Sequence, residues 1–254
     1  MALNSTQRFS SRVDNYVRYR PSYPSGVLDV MRKKCGLISE HIIADIASGT
    51  GIFTRMLLEN GNRVFAVEPN AEMREAGNRY LSDCVNFRGI DGTAEATTLF
   101  HHVADFVTAA QAAHWFDRRK ANAEFKRILK PKGWLVLIWN ERDLNSPFAR
   151  DYEGLLNTYG TDYANVRCQG RATYETVAEF FAPAPFQESM LSSAQEFDYA
   201  GLEGRLLSSS YAPEVAHAQH EPMMKALRQL FDRHQKNGHV KMEYETKMYY
   251  GQLT

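Results

Sequence analysis

The fold is decided by residues 41–51, HIIADIASGTG, in which an apolar run leads into a turn of small residues. Continuous apolar runs of this length are typical of strands that are buried on both faces. Ala47, Ser48, Gly49 and Gly51 let the backbone bend sharply and come close to a ligand. A helix that begins after such a turn presents free N–H groups in its first turn. The stretch therefore predicts a strand, a ligand-binding turn and a helix in succession.

Four more apolar runs of strand length follow in the first half of the chain and alternate with helix patterns. They cover residues 63–67, 84–87, 104–107 and 134–139. Asn60 and Gly61 end the helix pattern that follows the first strand, and the KPKG stretch at residues 130–133 ends another. Strands that alternate with helices in this way predict a doubly wound, parallel α/β sheet with right-handed crossovers.

The second half of the chain has a different pattern. Residues 145–185 contain no clear strand, and we expect helices there that cover the site. Residues 242–250 alternate between apolar and polar side chains, which predicts an antiparallel strand near the edge of the sheet. An apolar stripe at helical spacing predicts a further helix, and it consists of Met223, Leu227, Leu230 and Phe231.

Composition and charge exclude several classes of protein. The 254 residues carry 30 basic and 30 acidic side chains, and this balance argues against a nucleic-acid-binding surface, which needs clustered Lys and Arg. No apolar run approaches the roughly 20 residues that span a bilayer, and the first residues lack the apolar core of a signal peptide. Cys35, Cys84 and Cys168 are too scattered for a disulfide framework or a zinc site. We therefore expect a cytoplasmic protein with reduced thiols, no metal, and no membrane or nucleic-acid partner.

An acidic residue stands at the end of each of the first two predicted strands. Asp45 lies directly under the turn of small residues, and Glu68 ends the second strand. In a doubly wound sheet both positions lie at the carboxyl edge, where ligands bind, and Glu68 can accept two hydrogen bonds from a ribose diol. The turn lacks the Gly-Lys-Ser/Thr that a phosphate-binding loop requires. The pattern therefore indicates a nucleoside ligand.

Two nucleoside ligands fit this arrangement, a nicotinamide dinucleotide and S-adenosylmethionine. The dinucleotide pattern has a third glycine for close helix packing, and Thr54 occupies that place. Asp45 would repel a pyrophosphate, whereas it would attract the ammonium group of a methionine moiety. The residues favour S-adenosylmethionine, and a nicotinamide-dependent oxidoreductase on the same sheet is the alternative.

The sequence resembles the class I S-adenosylmethionine-dependent methyltransferases over nearly its whole length. The matching segments are residues 45–51, 67–70 with Met73, 92–95, 107–111 leading to 114–116, and 129–134. A bacterial and fungal branch that includes trans-aconitate methyltransferase-like proteins is similar at Phe9, Ser10, Ser11, Arg12, Tyr16, residues 18–24 and residues 244–251. The resemblance implies a Rossmann-like, seven-stranded, mostly parallel sheet with an antiparallel edge strand and a helical lid. It also implies one methyltransferase domain over residues 1–254, with a cofactor-binding half at 1–140 and a lid and substrate-side half at 141–254.

The resemblance further implies which residues hold S-adenosylmethionine and its product S-adenosylhomocysteine. The turn would cradle the methionine part, with Asp45 beneath it and Gln111 near its carboxyl or sulfonium group, while Glu68 would bind the ribose. The turn consists of Ala47, Ser48, Gly49, Thr50 and Gly51, and the adenine would meet Pro69, Met73, Thr93, Ala94 and Glu95. Two residues depart from the family pattern. Ala47 replaces the usual first glycine, and Thr93 stands where an Asp often accepts from the adenine amino group.

The acceptor side is less specified by the sequence. Arg20 is either a surface charge or a clamp for the cofactor carboxylate, and Arg142 is either a loop charge or a holder of an acidic acceptor. His114 is either a packing histidine or a catalytic contact, and Tyr19 and Tyr16 are further catalytic candidates. We expect a small-molecule methyl acceptor and a monomer or homodimer. A catalytically silent cofactor-binding protein and a nucleic-acid methyltransferase are the remaining alternatives.

Overall fold

The computed structural model describes residues 19–169 and 172–253, apart from the side chains of residues 168 and 169. Part of the resemblance therefore lies outside the described residues, namely Phe9, Ser10, Ser11, Arg12, Tyr16 and Arg18. The side chain of Cys168 lies outside them as well. In the described chain, the strands join in one sheet with helices on both faces.

The sheet has seven strands within the described residues. They are β1 Ile42–Ile46, β2 Arg63–Val67, β3 Phe87–Ile90, β4 Ala104–Ala110, β5 Leu129–Arg142, β6 Gln187–Phe197 and β7 Val240–Gln252. Their order across the sheet is β3-β2-β1-β4-β5-β7-β6. The first five are parallel, and β7 pairs antiparallel with both β5 and β6. The mostly parallel Rossmann-like sheet with antiparallel pairing at one edge is thereby confirmed.

Helices fill the connections between the strands. They are α1 Gly26–Cys35, α2 Ile52–Glu59, α3 Ala71–Tyr80, α4 Arg118–Ile128, α5 Pro147–Tyr159, α6 Tyr163–Gln169, α7 Tyr174–Phe181, α8 Tyr199–Leu207 and α9 His220–His234. Side-chain caps explain where several begin, because a helix leaves its first N–H groups unpaired. Asn70 accepts from the N–H of Met73 at 2.9 Å to begin α3, and Ser146 accepts from that of Ala149 at 3.1 Å to begin α5. The helices expected over residues 145–185 are confirmed as α5, α6 and α7.

Two strands differ from the sequence-based expectation. The expected strand at 84–87 is wrong for its first three residues, because β3 begins only at Phe87. The N–H of Phe87 donates to the Cys84 carbonyl at 3.1 Å, which closes a turn, and Val85 is 98% exposed at its tip. The resemblance implied a seventh strand, but no pattern in the sequence located the edge strand β6. It lies at the edge of the sheet, and its exposed residues are mostly polar apart from Met190 and Ala194, so its sequence lacks the continuous apolar run of a central strand.

The strand β5 is longer than expected and carries one wall of the site. Its pairing with β4 jumps from Ala104–Leu129 to Phe106–Trp134, so residues 130–133 bulge out. At its other end it continues past the last β4 pair, Ala110–Ile138, and stays paired with β7 as far as Arg142. The expected boundary between residues 140 and 141 lies inside this strand, so the two halves share one sheet.

Three apolar clusters pack the molecule. One covers a face of the sheet with α4 and α7, through side chains such as Phe125 and Phe180. A second covers the opposite face with α1 and α2, through Met31 and Leu57. The third lies among α5, α8 and α9 and includes the expected stripe from Met223 to Phe231. The third cluster fixes the lid helices beside the carboxyl edge of the sheet.

Candidate active site

A cavity of about 500 Å³ opens where the parallel strands end. Its lining comes from the residues that end β1, β2, β4 and β5, and from the lid. Of the expected site residues, those that line it are Arg20, Asp45, Ala47, Ser48, Gly49, Thr50, Glu68, Pro69, Met73, Thr93, Ala94, Glu95, Gln111 and His114. Tyr19 and Gly51 are expected site residues that do not line it.

Asp45 is the most deeply buried carboxylate of the lining, at 1% exposure. One of its oxygens accepts from the Thr54 hydroxyl at 2.6 Å and the other from the Thr108 hydroxyl at 2.8 Å. Burial raises the pKa of Asp45 to about 6, although both hydroxyl donors act to lower it. A carboxylate held out of water in this way favours a cationic neighbour. Thr54, which stands in place of the dinucleotide glycine, is therefore one of the two threonines that orient this acid.

Glu68 fixes the turn of small residues against the end of β2. Its two carboxylate oxygens accept from the N–H groups of Gly49 and Asn70, each at 2.9 Å. Burial raises the pKa of Glu68, while these two N–H groups and the nearby Arg74 oppose the rise. Each oxygen keeps a further lone pair for a ligand hydroxyl. The geometry therefore allows Glu68 to hold the turn and to bind a diol at the same time.

The turn adopts backbone conformations that explain its composition. Ala47, Gly49 and Gly51 have φ values of 52°, 59° and 86°, in the region that glycine adopts most readily. A Cβ atom on Gly51 would lie 2.6 Å from Leu81 Cδ1, so this glycine serves close packing rather than ligand contact. The Thr50 hydroxyl is buried, lines the cavity, and has no hydrogen-bond partner among the described residues. An unpaired buried hydroxyl beside a turn is an acceptor or donor that a ligand can use.

The residues expected around the adenine lie together beyond Glu68. Pro69, Met73, Thr93, Ala94 and Glu95 all line the cavity. The Thr93 hydroxyl oxygen accepts from the N–H groups of Glu95 and Ala96 at 3.3 and 3.2 Å. These bonds order the segment without using the hydroxyl proton of Thr93. Thr93 therefore offers the adenine a hydroxyl donor in place of the carboxylate acceptor that an Asp would provide.

Gln111 and His114 lie after β4, in the middle of the cavity wall. Gln111 has φ 57°, and its side-chain oxygen accepts from the N–H of Asn140 at 2.7 Å. This bond leaves the amide NH₂ of Gln111 as the group that a ligand can meet. Burial lowers the pKa of His114 to about 4, so its ring is neutral near pH 7, and its Nδ1 has no partner among the described residues. His114 is thus a neutral hydrogen-bonding group rather than a cation.

The two residues at the start of the described chain differ in position. The Tyr19 ring lies against α8, because a Cβ atom on Gly204 would come within 2.2 Å of Tyr19 Cε2. Arg20 lines the cavity and donates to the carbonyl oxygen of Ser208 at 3.1 Å. The structure therefore brings Arg20 to the site and leaves Tyr19 in the packing beside it.

A charged cluster from the second half of the chain was missed by the sequence reasoning. It consists of Glu153, Tyr163, Arg167, Arg205 and Tyr211 and lines the cavity around Arg142. These residues form no motif. The sequence offers little signal, because Glu153 in DYEGLL and Arg205 in LEGRLL each lie beside apolar residues but share the stretch with a second charged residue. A buried position for such a charge requires partners from other segments, which a sequence pattern does not reveal.

Comparison with known proteins agrees with this geometry. Residues 44–137 match the family described as the methyltransferase domain. An uncharacterized methyltransferase of Mycobacterium tuberculosis is 36% identical over 152 residues, which is 60% of this chain and 60% of that protein. An uncharacterized methyltransferase of Schizosaccharomyces pombe is 28% identical over 210 residues, 79% of this chain and 77% of its own. The chain thus spans about 60% of the length of the mycobacterial relative.

Solved structures give the same fold. A protein from Anaeromyxobacter dehalogenans, provisionally assigned as a type II methyltransferase, superposes with a TM-score of 0.66 at 20% identity. The match covers 92% of this chain and 98% of that one. This likeness shows that the chain has the fold of solved methyltransferase structures. Residues 44–137 are similar in sequence to the methyltransferase domain.

The described residues include neither a helix that spans a membrane nor a cluster that holds a metal ion. None of the helices there combines the length and the apolar character that crossing a bilayer requires. No group of three or more His, Cys, Asp or Glu side chains there is arranged to hold a metal ion.

Proposed function

We propose that the cavity binds S-adenosylmethionine and that the protein transfers its methyl group to a small-molecule acceptor. The observation that supports this most is the placement of Asp45 and Glu68 on one cavity, joined by the turn between them. Glu68 accepts from Gly49 of that turn, and Asp45 lies at the turn's base. One acid then faces the ammonium end of the cofactor, and the other faces its ribose diol.

The residues present fit this cofactor. The unpartnered hydroxyl of Thr50 and the free amide NH₂ of Gln111 lie beside the turn, where a methionine carboxylate or amine needs partners. Asp45 disfavours a nicotinamide dinucleotide, because its pyrophosphate would meet a buried acid already oriented by Thr54. The same arrangement therefore supports S-adenosylmethionine over the nicotinamide dinucleotide.

The chemistry requires little of the protein beyond positioning. S-adenosylmethionine supplies a methyl group on a sulfonium, so the C–S bond breaks with its electron pair going to sulfur while the acceptor forms the new bond. Holding donor and acceptor in line can contribute roughly 7–11 kcal/mol of the barrier. A carboxylate acceptor loses no proton, whereas a protonated one must pass its proton to a neighbouring acceptor such as the neutral His114.

The test is a calorimetric titration of the protein with S-adenosylhomocysteine, followed by a methyl-transfer assay with labelled S-adenosylmethionine over a broad acceptor panel. We expect one-to-one binding and turnover with at least one small molecule. Binding without any turnover would support a silent cofactor-binding protein instead. A fluorescence change on mixing with NADH, together with no heat from S-adenosylhomocysteine, would identify the oxidoreductase alternative.

A further inference from the structure

The two edges of the sheet differ in length. β3 forms one edge with 4 residues, whereas β6 forms the other with 11. An edge strand presents unpaired N–H and C=O groups to any strand that approaches it. Soluble proteins therefore keep their edge strands short, or interrupt them with bulges, prolines or charged side chains, lysine above all. The short strand β3 follows this rule, and β6 departs from it.

β6 lacks the features that protect an edge strand. Its sequence, QESMLSSAQEF, contains neither proline nor lysine. It pairs with β7 residue for residue over its whole length, so no bulge interrupts it. Its charged residues are Glu188 and Glu196, which lie near its two ends, and residues 189–195 carry no charge. The centre of the strand is therefore a regular, uncharged template for another strand.

The outer edge of β6 is open in the part of the chain that the structure describes. Within residues 19–169 and 172–253, the backbone groups of β6 that point away from β7 have no hydrogen-bond partner. The helix α1 packs against one face of the strand, where a Cβ atom on Gly26 would lie 3.4 Å from Leu191 Cδ2. This contact covers a face of β6 and leaves its hydrogen-bonding edge available.

A large apolar side chain is exposed at the centre of this edge strand. Met190 is 59% exposed, and its neighbours on the same face, Glu188 and Ser192, are exposed as well. Side chains on one face of a strand lie within reach of those on a strand that pairs beside it. A new strand along β6 would therefore remove Met190 from water, which is favourable for an apolar side chain.

We propose that two copies of the chain associate by antiparallel pairing of their β6 strands, so that the two sheets become continuous. A second copy fits this edge because an antiparallel pair of identical strands is related by a twofold axis, and each strand then offers the other the same groups. No residue of β6 lines the cavity, so this inference stands apart from the proposed function.

Charge selects the register of the pairing. If Ser192 lay on the twofold axis, Glu188 would stand directly opposite the partner's Glu196, and like charges in that position are destabilising. If Met190 lies on the axis, Glu188 stands opposite the partner's Ser192, and the two methionines meet. The second register keeps the carboxylates apart and covers the exposed apolar side chain. The axis is therefore placed at Met190.

The first test is sedimentation equilibrium of the full chain over a range of concentrations. We expect a mass of twice 29.0 kDa at high concentration, which falls toward 29.0 kDa on dilution. Met190→Lys and Met190→Glu should each be monomeric, because each places two like charges on the axis. An equimolar mixture of the two variants should recover the dimer, since opposite charges then meet.

The matched control is Val85→Lys. Val85 is an apolar residue that is 98% exposed, and it lies in the turn before β3, at the other edge of the sheet. It should stay dimeric, with the dissociation constant of the wild type. Thermal unfolding of all three variants shows whether they are folded.

Disulfide cross-linking tests the register. Met190→Cys places two thiols opposite each other on the axis, so mild oxidation should give a covalent dimer. Ser192→Cys places its two thiols about 14 Å apart in this register, which is too far for a disulfide. The wild type under the same oxidant accounts for its own cysteines. A covalent dimer from Ser192→Cys but not from Met190→Cys would overturn the register.

Three further results would overturn the inference. They are a wild type that stays at 29.0 kDa at every concentration, a folded Met190→Lys variant that dimerises like the wild type, and a mixture of the two charged variants that stays monomeric. If the charged variants do not fold, hydrogen exchange of the wild type decides. The amides of residues 189–195 should lose protection as the dimer is diluted, and protection that is independent of concentration would mean that another part of the same chain covers the edge.

Discussion

Replacement of Glu68 tests the cofactor site with a calculable effect. The carboxylate accepts from Gly49 and Asn70 at 2.9 Å and is 7% exposed, so its oxygens are held in place before a ligand arrives. Hydrogen bonds to a charged group contribute about 1.5–3 kcal/mol each. Loss of one such ribose contact in Glu68→Ala should therefore weaken the binding of S-adenosylhomocysteine by roughly 10- to 150-fold, and loss of both contacts should weaken it further.

The measurement is calorimetric titration of S-adenosylhomocysteine into Glu68→Ala, with thermal unfolding to show that the variant is folded. Glu68→Gln keeps the shape and one carbonyl oxygen, so it should lie between the wild type and Glu68→Ala. Glu75→Ala is the matched control, because Glu75 lies on α3 outside the cavity and is largely exposed. A folded Glu68→Ala protein with an unchanged dissociation constant would refute the placement of the ribose.

Two further predictions concern Asp45 and Gly51. Because the pKa of Asp45 is raised to about 6, and a cationic ligand favours its ionised form, affinity for S-adenosylhomocysteine should fall as the pH drops through 6, by at most tenfold per pH unit. Calorimetric titrations of S-adenosylhomocysteine between pH 5 and 8 check this. If the affinity of Asp45→Asn depends on pH in the same way, another group is responsible. Gly51→Ala should lower the free energy of unfolding by about 1–2 kcal/mol, because its φ is 86° and the added methyl meets Leu81. The measurement is unfolding by denaturant, and Gly36→Ala is the control, because Gly36 has φ 69° and open space around it. If both variants lose the same free energy of unfolding, the contact with Leu81 contributes nothing.

Much of the fold could be predicted because its central strands carry continuous apolar runs. β1, β2 and β4 are buried on both faces, so their sequences show few polar interruptions. The edge strand β6 could not be predicted in this way, since only alternate residues are partly buried and their partners come from β7. Val85 shows the opposite error, an apolar side chain in an exposed turn that extended the expected strand by three residues.

The side of the cavity that we propose for the cofactor could be located from the sequence, because its residues lie close together in sequence at strand ends. Asp45 lies near the end of β1, the turn follows β1, and Glu68 follows β2, and the parallel pairing brings these strand ends to one edge. The acceptor side is assembled from α5, α8 and the end of β5, over more than 60 residues. Arg205 and Tyr211 meet Arg142 only through the packing of the lid, and no local pattern encodes that contact. The resemblance to the trans-aconitate branch, which rests in part on residues before Tyr19, stays a prediction.

The central claim is that Asp45 and Glu68 grip opposite parts of one sulfur nucleoside. A crystal structure of the protein with S-adenosylhomocysteine tests it most directly. The account predicts the ribose hydroxyls within hydrogen-bonding distance of the Glu68 carboxylate and the homocysteine part against residues 47–50, with its ammonium group toward Asp45. Ligand density elsewhere on the molecule, or in the cavity with the adenine over Asp45 and the ribose away from Glu68, would contradict it.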